Sequence, residues 1–231
     1  MFNFSDVHIF WINCSNNQKR FSHMTDILEK YFPNNVKHHI EAIMHKPKYN
    51  GVTIAHTVAL MKGLTLKKPF IILEDDVNIE NINIEELEDY INRYEGIKAV
   101  YLGVSAWGGN KNKKIVNSLL NTNEKVIQIN DKLFFFKGAR GEVVNNYFYR
   151  VKDMYGAHSI LYLDENYINK TLQICILGIN QNKPHDIYLP KLLKKEKVFG
   201  LMNNWFYQLA KIGGQERTTH INMKNIRKIS I

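Results

Sequence analysis

Cysteine is scarce in this chain, which contains only Cys14 and Cys175 among its 231 residues. Two thiols so far apart in sequence do not form a disulfide framework, and the CxxC spacing of a zinc site is absent. We therefore expect two reduced cysteines in the core. The chain also has no apolar run approaching the roughly 20 residues that cross a bilayer, so a transmembrane segment is not expected.

The N-terminal sequence MFNFSDVHIF has no basic segment before a long apolar core, which argues against a signal peptide. We expect a protein of the bacterial or host cytosol that is not secreted, with a membrane-peripheral position compatible with its charge. Lysine and arginine outnumber aspartate and glutamate by 31 to 22, a formal charge of +9. This excess could attract nucleic acid, an anionic membrane or a phosphate-bearing small molecule. A solvated basic surface is the simpler interpretation.

Strands and helices alternate along the first hundred residues. Four apolar runs predict strands, namely VHIFWIN, VKHHIEAI, PFIIL and AVYLGV at residues 7–13, 36–43, 69–73 and 99–104. Helical patterns lie between them, one capped by Asn83 and another expected to begin at Thr53. This alternation predicts a mainly parallel central sheet with helices on both faces.

The second half of the chain has a different pattern. KVIQI and KLFFFK flank a short polar turn and predict a β-hairpin, and DENYINKTLQICILGI at residues 164–179 predicts a helix. We expect residues 1–231 to form a single α/β domain, with a smaller mixed β region in this second half.

The predicted strand PFIIL leads directly into three carboxylates, Glu74, Asp75 and Asp76. Adjacent like charges repel each other, and beside an apolar strand they are poorly solvated. Ligands of open α/β sheets bind beyond the carboxyl ends of the strands. At that place Mg²⁺ or Mn²⁺ would neutralise the carboxylates and also bind a diphosphate. A solvated loop is the equal alternative.

Several segments, in chain order, resemble glycosyltransferase family 25, the lipopolysaccharide and collagen-type β-glycosyltransferases. They are INCSNNQKRFSHM, GVTIAHTVALMKGL, FIILEDDV, AVYLG, YGAHSILYLDENYI and KPHDIYL, and the resemblance runs from about Ile9 to Arg217. It implies a GT-A fold, a divalent metal, inversion at the anomeric carbon and a nucleotide-sugar donor, for which we expect a UDP-sugar. The chain has no added domains of the collagen-type enzymes, so we expect a free-standing enzyme of a bacterium or virus.

The resemblance also implies roles for the acidic triplet. Asp76 is the expected metal ligand, and Glu74 takes the first position of a DxD-like motif, close to ribose, the metal or its water. Asp75 would bind the donor sugar hydroxyls, although strand alternation places it opposite Glu74 and Asp76. Arg20 is expected to bind the diphosphate, which guanidinium contacts bidentately, unless it is a surface residue at a helix start.

Other candidate site residues have two interpretations each. His56 is a donor contact or a hydrogen-bonded core histidine. Asp186 is the candidate general base for the acceptor hydroxyl and is preferred to His185 for that role; otherwise it caps the next helix. His220 is the candidate late histidine of a GT-A metal site. Trp205 belongs to the core or stacks on an acceptor sugar.

The sequence thus predicts a metal-dependent enzyme that moves a hexose from a nucleotide-sugar to a hydroxyl of a glycan or other acceptor. Two alternatives remain open. One is a basic module that binds nucleic acid or an anionic glycan, and the other is a GT-A-like protein without activity. The donor sugar is not identified, because galactose, glucose and N-acetylglucosamine differ in only a few hydroxyl contacts.

Overall fold

The computed structural model describes residues 1–14, 16–109, 113–120, 124–212 and 226–229. Its strands are β1 His8–Asn13, β2 Lys37–Glu41, β3 Phe70–Glu74, β4 Val77–Ile79, β5 Ala99–Tyr101, β6 Val126–Ile129, β7 Lys132–Phe135, β8 Arg140–Val143, β9 Phe148–Asp153, β10 Ser159–Tyr162, β11 Val198–Leu201, β12 Phe206–Gln208 and β13 Arg227–Ile229. Its α-helices are α1 Gln18–Tyr31, α2 Lys48–Leu66, α3 Ile84–Arg93, α4 Lys113–Leu119, α5 Glu165–Asn180 and α6 Leu189–Leu193.

Eleven of the strands form one sheet in the order β13-β6-β7-β8-β9-β11-β5-β10-β3-β1-β2. In the part from β11 to β2, the strands β11, β5, β3, β1 and β2 all run in one direction, and β10 lies antiparallel between β3 and β5. The predicted mainly parallel central sheet is therefore confirmed. The carboxyl ends of its parallel strands lie at one edge of the sheet, together with the start of β10.

The mixed β region predicted for the second half is also confirmed. Strands β6, β7, β8 and β9 form an antiparallel meander, which begins with the predicted hairpin and joins the central sheet where β9 pairs with β11. Strand β13 pairs in parallel with β6 at the far edge. A separate two-stranded sheet of β4 and β12 follows the acidic end of β3.

Apolar layers cover both faces of the central sheet, because successive strand residues point to opposite sides. One layer joins Phe10, Ile12, Phe70 and Ile72 to buried residues of α2, α5 and α6. The other joins Ile9, Trp11, Ile71 and Leu73 to buried residues of α1 and α3. Each large apolar side chain removed from water contributes about 1.5–3 kcal/mol, so the two layers fix the central strands firmly.

Helix α2 begins earlier than the sequence predicts. Pro47 is its N-cap residue, and Thr53 lies within the helix, where its Oγ1 donates to the Tyr49 carbonyl at 2.9 Å. The expected cap at Thr53 is therefore wrong, because a threonine hydroxyl also bonds to the carbonyl four residues earlier inside a helix. The cap of α3 is confirmed, since Asn83 Oδ1 accepts from the Glu86 backbone amide at 3.2 Å.

The core interpretation of Trp205 is correct, because its side chain is buried and packs edge-on against Phe4 with ring centroids 5.8 Å apart. Both cysteines are free, but only Cys175 is buried, whereas Cys14 is partly exposed. The expectation of two core cysteines is thus wrong for Cys14, which follows the carboxyl end of β1 at the sheet edge. In the ranges described above, the helices are all too short or too polar to cross a membrane.

Candidate active site

The acidic strand end is fixed by the structure on either side of it. Strand β3 is buried between β1 and β10, so the chain reaches the sheet edge at Glu74 with little freedom. Immediately afterwards Val77 pairs with Gln208 in the β4–β12 sheet. Asp76, between these two constraints, is only 7% exposed. Glu74 and Asp75 are partly exposed, so the triplet is a partly buried turn and differs from the fully solvated loop that was the alternative interpretation.

Glu74 and Asp76 face a common point. The Gln208 Nε2 amide donates to Glu74 Oε2 and to Asp76 Oδ1, in both cases at 3.2 Å. Burial, followed by the charge of Asp75, raises the pKa of Glu74 to about 7. Burial and the charge of Glu74 raise the pKa of Asp76 to about 7. Two carboxylates so close together, one of them buried, favour the approach of a cation, which relieves their repulsion.

Asp75 lies on the other side of the triplet. Its Oδ2 accepts from Asn13 Nδ2 at 2.7 Å, and its Oδ1 pairs with Arg20 Nη1 at 2.5 Å. Arg20 also places Nη2 at 3.7 Å from Asp76 Oδ2 and donates from Nε to the Ile212 carbonyl at 2.8 Å. The structure thus puts Arg20 next to the acidic triplet, and its contact with a diphosphate stays a prediction.

His56 is a buried residue of α2 whose imidazole contacts the Glu74 carboxylate. Its Nε2 lies 3.2 Å from Glu74 Oε1, and its ring centroid lies 4.7 Å from that of His185. Burial lowers the pKa of His56 to about 4, and burial together with His56 lowers that of His185 to about 3. Both rings are therefore neutral at neutral pH, so His56 contacts Glu74 through a hydrogen bond. His185 Nδ1 lies 3.2 Å from the Thr53 hydroxyl.

Asp186 lies in a short 3₁₀ turn, His185–Tyr188, before α6. Its Oδ2 accepts from the Gly156 amide at 3.0 Å, and Gly156 has φ of +101°, a conformation that glycine adopts readily. Burial, and the negative charge of Glu74, raise the pKa of Asp186. Neither the 3₁₀ turn nor α6 has a side-chain N-cap bond. The interpretation of Asp186 as a helix cap is therefore wrong.

An open cleft of about 490 Å³ is lined by both Glu74 and Asp186. Glu74 and Gln208 line one part of its wall, Asp186 lines another, and the aromatic side chains are Tyr49, Trp107 and Tyr155. Trp107 is 41% exposed. The cleft lies where ligands of open α/β sheets bind, beyond the carboxyl ends of the parallel strands. Aromatic walls with a few convergent polar groups are typical of small-molecule sites.

Glu74 and Asp76 are the described residues best suited to a divalent cation, since Mg²⁺ binds one or two carboxylates and shares the remaining positions with water and phosphate. Over residues 1–14, 16–109, 113–120, 124–212 and 226–229, the structure shows no group of three His, Cys, Asp or Glu side chains placed as metal ligands. The predicted third ligand, His220, lies outside the described residues. The carboxylate pair fits a metal that completes its shell with a substrate.

The sequence did not point to three residues of this site. Gln208 reaches the carboxylates through the β4–β12 pairing, which joins distant segments and leaves no local pattern. Trp107 and Tyr155 lie in loops at the sheet edge, and the Tyr155 backbone amide donates to the Trp107 carbonyl at 2.7 Å. A large aromatic residue in a glycine-rich loop after a buried strand is the signal that could have identified Trp107.

The observed architecture is an α/β fold of the GT-A-like type, in agreement with the sequence prediction. It resembles A197 from STIV, with a TM-score of 0.50 and 16% identity over 88% of this chain and 85% of that chain. No protein-family model matches the chain, and no curated protein matches it significantly. Membership in glycosyltransferase family 25 therefore stays a prediction.

Two nucleotidyltransferases also show some similarity. A proposed glucose-1-phosphate thymidylyltransferase from Bacillus anthracis, in complex with sucrose, has a TM-score of 0.43 and 12% identity over 86% of this chain and 69% of that chain. The CTP:phosphocholine cytidylyltransferase LicC from Streptococcus pneumoniae has a TM-score of 0.37 and 12% identity over 88% of this chain and 73% of that chain. At these values the likeness carries no functional argument.

Proposed function

We propose that this protein is a metal-dependent inverting glycosyltransferase. It would transfer a hexose from a nucleotide-sugar, for which we propose a UDP-sugar, to a hydroxyl group of a glycan or other acceptor. The observation that carries this proposal is the placement of carboxylates at one edge of the sheet. Glu74 and Asp76 face a common point, and Glu74 shares a cleft with Asp186.

Glu74 and Asp76 are the proposed ligands of Mn²⁺ or Mg²⁺. A bound divalent ion stabilises the negative charge that develops on a departing diphosphate. The Gln208 amide, which donates to both carboxylates, partly offsets their charge and keeps them pointing to the same place. His56, neutral and buried, fixes Glu74 from the opposite direction through its Glu74 contact.

Arg20 and Asp75 are proposed to bind the donor on the other side of the triplet. The Arg20 guanidinium lies close to both Asp75 and Asp76, so a diphosphate at the triplet would be within its electrostatic reach. Asn13 and Asp75 orient each other across the ends of β1 and β3. This arrangement gives that side of the triplet to the donor and leaves the cleft for the acceptor.

Asp186 is the proposed general base, which would take the proton of the acceptor hydroxyl as that oxygen attacks the anomeric carbon. Its raised pKa suits this role, because a base works best when its pKa approaches the working pH. Attack from the face opposite the departing diphosphate inverts the anomeric configuration. The acceptor would lie between Asp186 and the aromatic side chains Trp107 and Tyr155, since aromatic rings present a large apolar face to a sugar.

The test is donor turnover by the Asp76→Asn variant, which removes a charged ligand at nearly constant size. With Mn²⁺ and a panel of UDP-, GDP- and CMP-sugars, we expect the wild type to release the nucleotide of its donor, UDP on our proposal, and the variant to lose about 100-fold or more of that turnover. Asp89→Asn, on the exposed surface of α3, is the matched control and should keep full turnover. Equal turnover by the Asp76 variant would exclude the proposed metal role, and donor binding without turnover in the wild type would favour an inactive GT-A-like protein.

A further inference from the structure

Beyond Glu165 in its first turn, the exposed residues of α5 are uncharged and partly aliphatic. From Asn166 to Asn180, the exposed residues of this helix are Asn166, Asn169, Gln173, Ile176, Leu177 and Asn180. Ile176 is 47% exposed and Leu177 38% exposed, and Ile187, in the 3₁₀ turn after the helix, is 37% exposed. Adjacent aliphatic side chains that remain in water indicate a contact surface more strongly than single exposed ones.

A groove of about 440 Å³ runs between α5 and α6 beside these side chains. Its apolar lining is Ile174, Leu177 and Leu192, and its charged lining is Lys170, Lys191, Lys195 and Glu196. Glu196 Oε1 pairs with Lys170 Nζ at 2.6 Å, so the acid of the groove is already neutralised. The groove therefore combines an apolar floor with a positive rim.

Lysine is the only cationic residue type over residues 165–197, which contain six lysines, no arginine and three acids. Of the three acids, Asp186 belongs to the cleft, Glu196 is paired, and Glu165, at the start of α5, lines a different pocket together with Lys67 and Lys68. The two tyrosines of this segment are Tyr167, which is buried, and Tyr188, whose hydroxyl donates to Gln181. Single-stranded nucleic acids are bound through arginine and exposed aromatic rings that stack on bases, so this composition does not favour them.

Lysines around exposed aliphatic side chains are instead typical of surfaces that lie on a bilayer. The aliphatic groups enter the region below the headgroups, and each lysine near an anionic leaflet adds about 1 kcal/mol of attraction. We propose that the α5–α6 face, defined by Ile176, Leu177, Ile187, Lys170, Lys191 and Lys195, docks on a membrane that contains anionic lipid. Ile187 also lines the cleft, so docking would place the cleft mouth close to the lipid surface.

The experiment is vesicle flotation of the full chain at low ionic strength, where charge attraction is strongest. Vesicles of phosphatidylcholine with about one third phosphatidylserine are compared with pure phosphatidylcholine. The charge variant is Lys191→Gln with Lys195→Gln, and the apolar variant is Ile176→Ser with Leu177→Ser. The matched control is Lys30→Gln with Arg93→Gln, on the helices of the opposite sheet face, which removes the same net charge. Far-UV circular dichroism melts confirm that each variant is folded.

We expect the wild type and the control to float with the anionic vesicles. Removal of two lysine charges should lower the partition coefficient by roughly 30-fold, from about 1 kcal/mol per lysine, and the apolar variant should also bind less. The proposal is overturned if the wild type does not bind anionic vesicles, or if the control loses binding as much as the charge variant does. Binding to single-stranded nucleic acid that competes with vesicles and depends on the same lysines would also overturn it.

Discussion

The Asn13 side-chain amide donates a 2.7 Å hydrogen bond to the Asp75 carboxylate and so joins the ends of two adjacent parallel strands. Asn13 is buried, and its position at the end of β1 is set by pairing with β2 and β3. Hydrogen bonds to charged groups contribute about 1.5–3 kcal/mol. This single bond therefore connects the structural core directly to the acidic triplet.

The first prediction concerns that bond. Asn13→Ala should lower the free energy of unfolding by about 1.5–3 kcal/mol, because Asp75 loses a buried donor. Urea denaturation measures the change. Asn166→Ala on the exposed face of α5 is the control, with an expected effect within about 0.5 kcal/mol. Equal stability of the two variants would show that Asp75 does not depend on Asn13.

Gln208→Glu tests whether the carboxylate pair accepts a cation. A third acid beside Glu74 and Asp76 should destabilise the metal-free protein by about 2 kcal/mol, which corresponds to roughly 4–8 °C in melting temperature at this chain length. Mn²⁺ should then raise the melting temperature of the variant more than that of the wild type, because it neutralises more charge. Thermal melts with Mn²⁺ and with a chelator measure this, and Gln208→Ala shows the effect of losing the amide alone. A variant that is insensitive to Mn²⁺ would contradict a cation site here.

Asp186→Asn should lower the turnover number by about 10²–10⁴-fold while the affinity for the donor remains. Asn keeps the size of the side chain but cannot take a proton from the acceptor. Because burial raises the pKa of Asp186, wild-type turnover should fall on the acid side at a pH above the ordinary aspartate pKa of about 3.9. Steady-state kinetics across pH and donor titration calorimetry test both parts. A variant with normal turnover would remove Asp186 from the mechanism.

Trp107→Ala should raise the KM for the acceptor by about 2- to 10-fold, which corresponds to the 0.5–1.5 kcal/mol typical of aromatic contacts. Hydrolysis of the donor without an acceptor should stay unchanged. It is proposed to depend on the metal pair Glu74 and Asp76, whereas Trp107 is proposed to contact only the acceptor. Trp107→Phe retains an aromatic face and serves as the matched control. A loss of donor hydrolysis in the alanine variant would place Trp107 at the donor instead.

Asp164 provides a test of stability against pH. Its Oδ1 caps α5 by accepting from the Tyr167 amide at 2.8 Å, and its Oδ2 pairs with Lys98 Nζ at 2.7 Å. Burial alone would raise the pKa of Asp164, but the bonds from Lys98 and Tyr167 outweigh it and lower the pKa. This stabilisation is present above the unfolded value of about 3.9 and is lost as pH falls through the lower folded value.

Asp164→Ala should therefore cost about 0.5–2 kcal/mol at neutral pH. The difference from the wild type should shrink below about pH 4, the region of the unfolded carboxyl pKa. Asp164→Asn keeps the cap but loses the ion pair, so its stability should lie between the two. Denaturation curves at several pH values measure the differences. A gap between wild type and alanine variant that persists unchanged into strong acid would show that ionisation of Asp164 contributes nothing.

The central sheet was predictable because its signals are local. Apolar runs of strand length, such as Phe70 to Leu73, are buried on both faces, and a capping pair such as Asn83 with Glu86 is visible within four residues. The acidic end of β3 was also visible, since a charge cluster after an apolar run needs an explanation. Local pattern thus gave the layers of the fold and one wall of the candidate site.

The remaining parts of the site depend on contacts between distant segments. Gln208 reaches Glu74 through the pairing of β12 with β4, and Asp186 is held beside the cleft by the Gly156 amide, which donates to its carboxylate. Neither of these contacts produces a periodic pattern in the sequence. The start of α2 was missed for a different reason, because Thr53 suits a cap and an interior position equally well.

The chain after β12 is bonded to the acidic triplet and to Arg20 beside it. The Leu209 amide donates to the Asp76 carbonyl at 2.6 Å, and Arg20 Nε donates to the Ile212 carbonyl at 2.8 Å. A ligand at the triplet whose affinity depends on these bonds would therefore be thermodynamically linked to the docking of residues 206–212. By reciprocity, a ligand that prefers the docked form stabilises the docking of this segment. A partner that binds the undocked segment lowers the affinity for that ligand by the same factor.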